Sequence, residues 1–314
     1  MSIDLDFNPE QEALGEAIAQ FCGDRWTDED ARGAGPEFPG SLWRELAGLG
    51  VLSAGAPGEE SGALEVCAAM EALGAALFPG PLVGSFLAQQ VLPSREASAI
   101  AEGRALVCFG SPPLLPWARE ADLFIECAGG ELYSAEPAGP VRGEPSPDGD
   151  AWGRVEFERG AALPHAARGL ALAEIARAAY LAAAGRRLIA EAAEHARTRK
   201  QFGRAIGEFQ AVAHPLADAH MRLEAARLLA RTAACAFEDG DSDRGLKSAS
   251  TARLSAAGAA LDAIHVGHQI FGAVGITVDG PAFYISRRIR SLVAHPPGSE
   301  LARASQCDAL GLAP

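Results

Sequence analysis

Three stretches in the second half of the chain, residues 165–200, 208–240 and 243–272, repeat alanine and leucine at helical spacing. Charges interrupt each of them every few residues. That pattern does not alternate as a strand does, and it carries too many charges to read as a membrane span. The stretches predict long amphipathic helices. Pro215 falls near the start of the second. A fourth helix is expected over "DGPAFYISRRIRSLVA" (279–294), and the tail has room for a short fifth. Long helices with short links predict an antiparallel bundle. Alanine-rich faces permit close helix contacts, and the apolar stripes are broad enough to pack other subunits as well.

The first 103 residues also read as helical. In "NPEQEALGEAIAQFC", Asn8 suits an N-cap, Pro9 the first helical position and Gln11 the third residue of a capping box. "GSLWRELAGLGV", "GALEVCAAMEALGAALF" and "VGSFLAQQVL" predict further helices, and the two prolines of "FPGPL" (78–82) mark a turn between them. From 104 to 164 the character changes. "ALVCFG", "DLFIECAG", "GELYSAE" and "WGRVEFER" are short β-like runs, and "EPAGPVRGEPSPDGD" is a loop. The expected organisation is therefore an N-terminal helical domain (1–103), a small β domain of a few antiparallel strands (104–164) and a C-terminal helical bundle (165–314).

Composition narrows the function. A net charge of −14 argues against wrapping nucleic acid, which demands a cationic footprint. The six cysteines are scattered, with no CxxC pair or zinc spacing. His265 and His268 lie one turn apart without an evident third metal ligand, so packing or an interface role is expected of them. The first residues lack a basic region followed by an apolar one, and no segment reads as a membrane span. A cytoplasmic protein is the expectation.

One short connection needs its own explanation. "RTRKQFGRAIGEFQAV" (197–212) packs four cations, two glutamines, two phenylalanines and two glycines into the link between the first two bundle helices. A solvated charge cluster at a helix corner would account for the cations, but not for aromatic and amide groups beside them. This link is followed by "HQIFGAVGIT" and then by "FYISRRIRS". The ordered set resembles the C-terminal domain of the acyl-CoA dehydrogenases, and "NPEQEALGEAIAQFC" and "WRELAGLGVLS" resemble that family's opening helices. The resemblance implies a mainly α fold: an N-terminal helical domain, a middle β domain and a four-helix bundle.

It also implies FAD as cofactor, shared between subunits, and an acyl-CoA substrate. On that basis Arg199 would meet the diphosphate, Gln201 and Phe202 would line the cofactor, and Gln210 would donate to it at the next helix start. Gln269 and Gly272 would approach the ADP half, where a glycine lets backbone come close.

The same comparison exposes what is missing. The family needs a glutamate base, in most members on a loop after the fourth bundle helix. Here that region reads "SLVAHPPGSELAR", with His295, Pro296 and Pro297, and Glu300 comes late. Other members carry the base on the first bundle helix, where the register gives Ala173, with Glu174 about 100° round the helix; a surface or salt-bridging role is expected of Glu174. The flavin-holding segment of the middle domain has as its nearest counterpart "AEPAGP" (135–140), without the serine and aspartate that should follow. "RRIR" (287–290) could reach CoA phosphates or form a solvated helix face.

The resemblance therefore points to the short, non-catalytic subunit of actinobacterial α2β2 acyl-CoA dehydrogenases that act on sterol side chains. Its expected partners are a full-length catalytic subunit, a bulky acyl-CoA and an electron-transfer flavoprotein or similar acceptor. Two rivals stand beside that reading. One is a self-sufficient homo-oligomer with Glu174 or Glu300 as base, and the other a flavin-free remnant that binds a partner or an acyl-CoA.

Overall fold

The computed structural model describes residues 5–33, 38–59, 61–144, 151–278, 280–309 and 311. Six α-helices come first among the described residues: α1 (Pro9–Arg25), α2 (Asp28–Gly33), α3 (Gly40–Gly48), α4 (Ala63–Ala76), α5 (Leu82–Val91) and α6 (Ser94–Ala101). Helix α1 starts as its sequence dictates. The Asn8 side chain accepts from the backbone N–H of Glu10 and Gln11, Gln11 Oε1 accepts from Asn8 N–H at 3.0 Å, and Pro9 opens the helix.

Among the described residues seven strands follow: β1 (Val107–Gly110), β2 (Leu114–Pro116), β3 (Leu123–Ala128), β4 (Glu131–Pro137), β5 (Arg142–Glu144), β6 (Trp152–Arg154) and β7 (Phe157–Ala162). They form two small sheets, ordered β1-β3-β4-β7 and β2-β6-β5. Two details differ from the sequence reading. β1 pairs with β3 in parallel, so the strands are not all antiparallel. "WGRVEFER" divides between the two sheets as β6 and β7, with the buried Val155 at the break. Alternation alone cannot show that a run changes sheets partway.

The second half holds α7 (Ala166–Thr198), a hairpin of β8 (Lys200–Gln201) and β9 (Arg204–Ala205), then α8 (Gln210–Glu238), α9 (Ser242–Phe271), α10 (Pro281–Ala294) and α11 (Glu300–Ala309). Helix α7 is the hub. From Gly169 to Gly185 every residue is buried, the behaviour of a helix surrounded by protein on all sides. Small residues let its neighbours close in. A Cβ on Gly74 of α4 would meet the Tyr180 backbone at 2.5 Å, and one on Gly185 would meet the Leu223 side chain of α8 at 2.5 Å. Helices α7 and α9 run in the same direction, since Gly185 lies against Ala260 and Leu188 against Gly267.

Polar ties fasten the first helices to the bundle. Arg231 of α8 grips Glu71 of α4 with two bonds, of 2.8 and 2.9 Å, and also donates to the Leu5 carbonyl. Arg187 of α7 reaches Asp28, the Ala75 carbonyl and Tyr284. One apolar core runs through the opening helices, the first sheet and the bundle, while a small satellite of Cys108, Leu115, Ala118 and Val155 sits between the sheets. Among the described residues, no helix is long and apolar enough to cross a membrane.

Candidate functional site

The link between α7 and α8 is a tight hairpin rather than a simple corner. Lys200 pairs with Ala205 and Gln201 with Arg204, leaving Phe202 and Gly203 as a two-residue loop. Both loop residues have positive φ, 54° and 84°, as in the primed turns that join two twisted strands. Gly203 adopts that backbone freely. Phe202 does not, because a left-handed residue with a Cβ costs roughly 1–2 kcal/mol. Its ring is also 93% exposed. The fold thus spends backbone strain to hold an aromatic ring out in solvent.

That ring forms the rim of a groove of about 840 Å3. Gln201, Phe202 and Ile206 contribute from the hairpin side, Phe209, Val212 and Pro215 from the start of α8, and His265, Val266, Gln269 and Ile270 from the end of α9. Phe202 meets Phe209 edge-on at 6.1 Å, and the Arg204 guanidinium lies 4.0 Å over the Phe209 ring. The walls are mostly apolar, and the polar lining is two carboxamides and one imidazole. Gln201, Phe202 and Gln269 therefore converge, although Gln269 is far from the other two in sequence.

Arg199, Gln210 and Gly272 are not among the lining residues. Arg199 ends α7 with its side chain exposed, while its carbonyl accepts from Ile206 N–H at 2.8 Å and so fixes the hairpin. Gln210 is the exposed first residue of α8. Gly272 ends α9 at φ 62°, where its N–H donates to the His268 carbonyl. Sequence reasoning passed over Ile206, Phe209, Val212, Val266 and Ile270 as lining. Their signal was the helical spacing of Phe209 with Val212 and of Val266 with Ile270, which by itself reads as core packing. His265 lines the groove, and His268 turns away to bond Ser286 Oγ at 2.8 Å.

Glu174 lies elsewhere. It faces a second cavity, of about 420 Å3, with Gly129, Gly130, Leu170, Lys247 and Ser250 in its walls. The carboxylate is nearly buried and ion-paired twice, to Arg177 at 3.2 Å and to Arg253 at 3.1 Å. The expected salt-bridging role fits, whereas a surface position does not, because α7 is enclosed on every side. Burial first, and Arg177 beside it, lower the Arg253 guanidinium to about 10.

His295, where the family's usual base would be expected, bonds the Phe109 carbonyl at 2.9 Å. Burial, then the charge of Arg177, lower its imidazole to about 3, so it stays neutral near pH 7. Glu300 begins α11 and is exposed. The "AEPAGP" segment runs along β4, with Ala135, Glu136 and Pro137 paired to β7. Within "RRIR", Arg287 packs over Phe283, Ile289 is buried and Arg290 is exposed. Among the described residues, no group of three or more His, Cys, Asp or Glu could hold a metal ion.

Residues 163–294 match the family model of the acyl-CoA dehydrogenase C-terminal domain. The acyl-CoA dehydrogenase IpdE2 of Mycobacterium tuberculosis is 29% identical over 288 residues, covering 85% of this chain and 87% of IpdE2. Two solved structures share the whole fold. A variant of the Tcur3481–Tcur3483 steroid ACAD matches with a TM-score of 0.81 and 24% identity, over 96% of this chain and 98% of that one. The ChsE4–ChsE5 complex of Mycobacterium tuberculosis matches with a TM-score of 0.81 and 22% identity, over 99% and 100%. These structural likenesses establish the fold. The match to that domain, together with structural neighbours solved with FAD, indicates FAD as the cofactor. The groove suits one side of such a ligand: apolar walls and an exposed ring for a planar heterocycle, amide groups for its edge, and Arg199, Lys200 and Arg204 nearby for a diphosphate.

Proposed function

We infer that this chain is the FAD-sharing subunit of a heteromeric acyl-CoA dehydrogenase whose catalytic base belongs to the partner chain. The observation that carries the reading is Phe202, held in a strained backbone conformation at the rim of an open apolar groove. A ring presented in that way gains its stabilisation only when something covers it. In this reading Phe202 and Phe209 pack on the cofactor, Gln201 and Gln269 bond its polar edge, and Arg199 neutralises its diphosphate. Gln210 adds a donor at the start of α8, and Gly272 lets backbone approach. The partner supplies the opposite wall, most simply in a closed assembly of two copies of each chain.

Bound FAD would accept the hydride from the substrate's β-carbon. This chain's part is to bind and orient the cofactor and exclude water from it. Removal of the α-proton falls to the partner. Glu174 is engaged by two guanidiniums, and His295 is neutral. Likeness to the Tcur3481–Tcur3483 steroid ACAD and to the ChsE4–ChsE5 complex supports a bulky acyl-CoA such as a sterol side-chain thioester, and a heteromeric assembly.

The test is flavin absorbance per protein mass, measured on the purified chain and on its co-expressed complex with a full-length acyl-CoA dehydrogenase. The expected result is a colourless, inactive chain alone and two FAD per tetramer in the complex. A yellow, active homo-oligomer with one FAD per chain would overturn the reading and return Glu174 and Glu300 to consideration as base.

A further inference from the structure

Charge does not balance in the interior beside Glu174. Arg177 and Arg253 are both completely buried, and among the described residues Glu174 is their one carboxylate partner. The other ionisable groups nearby do not help. Burial raises the Cys127 thiol to about 11, so it carries no charge, and the His295 imidazole is likewise neutral. Two cations thus share one anion.

Hydrogen bonding is also incomplete. Arg253 Nη2 donates to the Val293 carbonyl at 2.9 Å. Arg177 Nε and Nη2, and Arg253 Nη1, hydrogen-bond to nothing among the described residues. A buried guanidinium donor left unmet is costly, so three at one spot is a poor arrangement unless another acceptor completes it. An uncompensated charge adds a further penalty.

An entry route lies next to the pair. The cavity of about 420 Å3 has Glu174 in its wall, and the Glu174 carboxylate is ion-paired to Arg177 and Arg253, which do not themselves line it. Leu170, Leu246, Ala302 and Ala304 give the cavity apolar walls, while Lys247 supplies a cation, Asp243 a carboxylate and Ser250 a hydroxyl.

We propose that Arg177 and Arg253 form a buried site for a compact monovalent anion, either a halide or the carboxylate head of a short-chain acid, entered from the cavity at Glu174. The anion restores a balance of two cations and two anions and accepts from the free guanidinium donors. A halide occupies the pair alone. A carboxylate extends its chain between Leu170 and Leu246. The site is distinct from the Phe202 groove and does not depend on the flavin reading.

The probe is sodium bromide with the full chain, free or in its complex. Anomalous diffraction at the bromine edge should place a peak within ion-pair distance of both guanidiniums. The thermal midpoint should rise saturably with bromide but not with gluconate at equal ionic strength, following the usual dependence on ligand concentration. The rise should vanish in the Arg177→Met/Arg253→Met double variant. Loss of the bromide peak in sodium butyrate would identify the carboxylate as the competent head group, and its persistence the halide. Bromide found only at surface cations, or equal midpoint shifts in bromide and gluconate, would overturn the proposal. The diffraction result on the unmodified protein stands even where the double variant fails to fold.

Discussion

The carboxylate of Glu174 lies 3.1 Å from the guanidinium of Arg253, with the arginine completely buried. The pairing joins α7 to α9 through the centre of the bundle. The carboxylate, held by Arg253 on one side and Arg177 on the other, acts as a counter-ion to both. Removing it leaves two buried cations without a partner, and such losses typically cost about 3–5 kcal/mol. Glu174→Gln should therefore lower the urea midpoint markedly. A midpoint within error of the parent protein would show that water reaches the cluster and screens it.

The converse substitution should be far milder. Replacing Glu174, Arg177 and Arg253 together by leucine or methionine removes the charges and keeps the volume. Buried ion clusters exchanged in this way are often neutral or more stable by about 1–4 kcal/mol. The triple variant should unfold at or above the parent midpoint. A loss as large as that of Glu174→Gln would mean that the cluster contributes net stability as a whole.

His295 gives the chain an acid-side instability of defined sign. The folded imidazole is lowered from 6.5 to about 3, so between those values the unfolded chain binds a proton that the folded chain does not. Stability therefore rises with pH through that window and falls as pH drops from about 6.5 towards 3, by at most about 1.4 kcal/mol per unit. His295→Gln, which can still donate to the Phe109 carbonyl, should flatten this slope between pH 7 and pH 4. An unchanged slope would assign the acid sensitivity to the carboxylates.

The helices were legible because their signals are local. The Asn8–Gln11 capping box and the apolar spacing of the three long stretches are contained within the elements they define. The short helices α2 and α6 and the strands β2 and β5 were not read, since a few residues carry too little periodicity to register. The groove was half legible. Gln201 and Phe202 stood out as odd groups in a short link, but Val266 and Ile270 look like any core pair until the hairpin folds over beside them. Glu174 was the hardest. Its burial depends on Arg253, which lies on a helix two connections away and carries no mark in sequence that it turns inward.

Phe202 offers the sharpest separation of folding from function. At φ 54° it occupies a conformation that glycine adopts without penalty, and its ring, 93% exposed, contributes little packing to the isolated chain. Phe202→Gly should therefore raise the stability of the chain by about 1 kcal/mol, the strain it relieves, less the added freedom of the unfolded glycine. The same change removes an aromatic surface from the groove. Stacking of a heterocycle on an aromatic side chain is worth about 1–3 kcal/mol, so flavin retention in the assembled complex should fall by roughly tenfold or more. Arg199→Ala should also weaken retention, by about 1.5–3 kcal/mol for a bond to a charged group, but without the gain in stability. The paired readouts are the thermal midpoint of the chain and the flavin dissociation constant of the complex. A Phe202→Gly chain that is more stable and binds flavin normally would remove the ring from the cofactor site. A less stable chain would mean that Phe202 supports the hairpin itself.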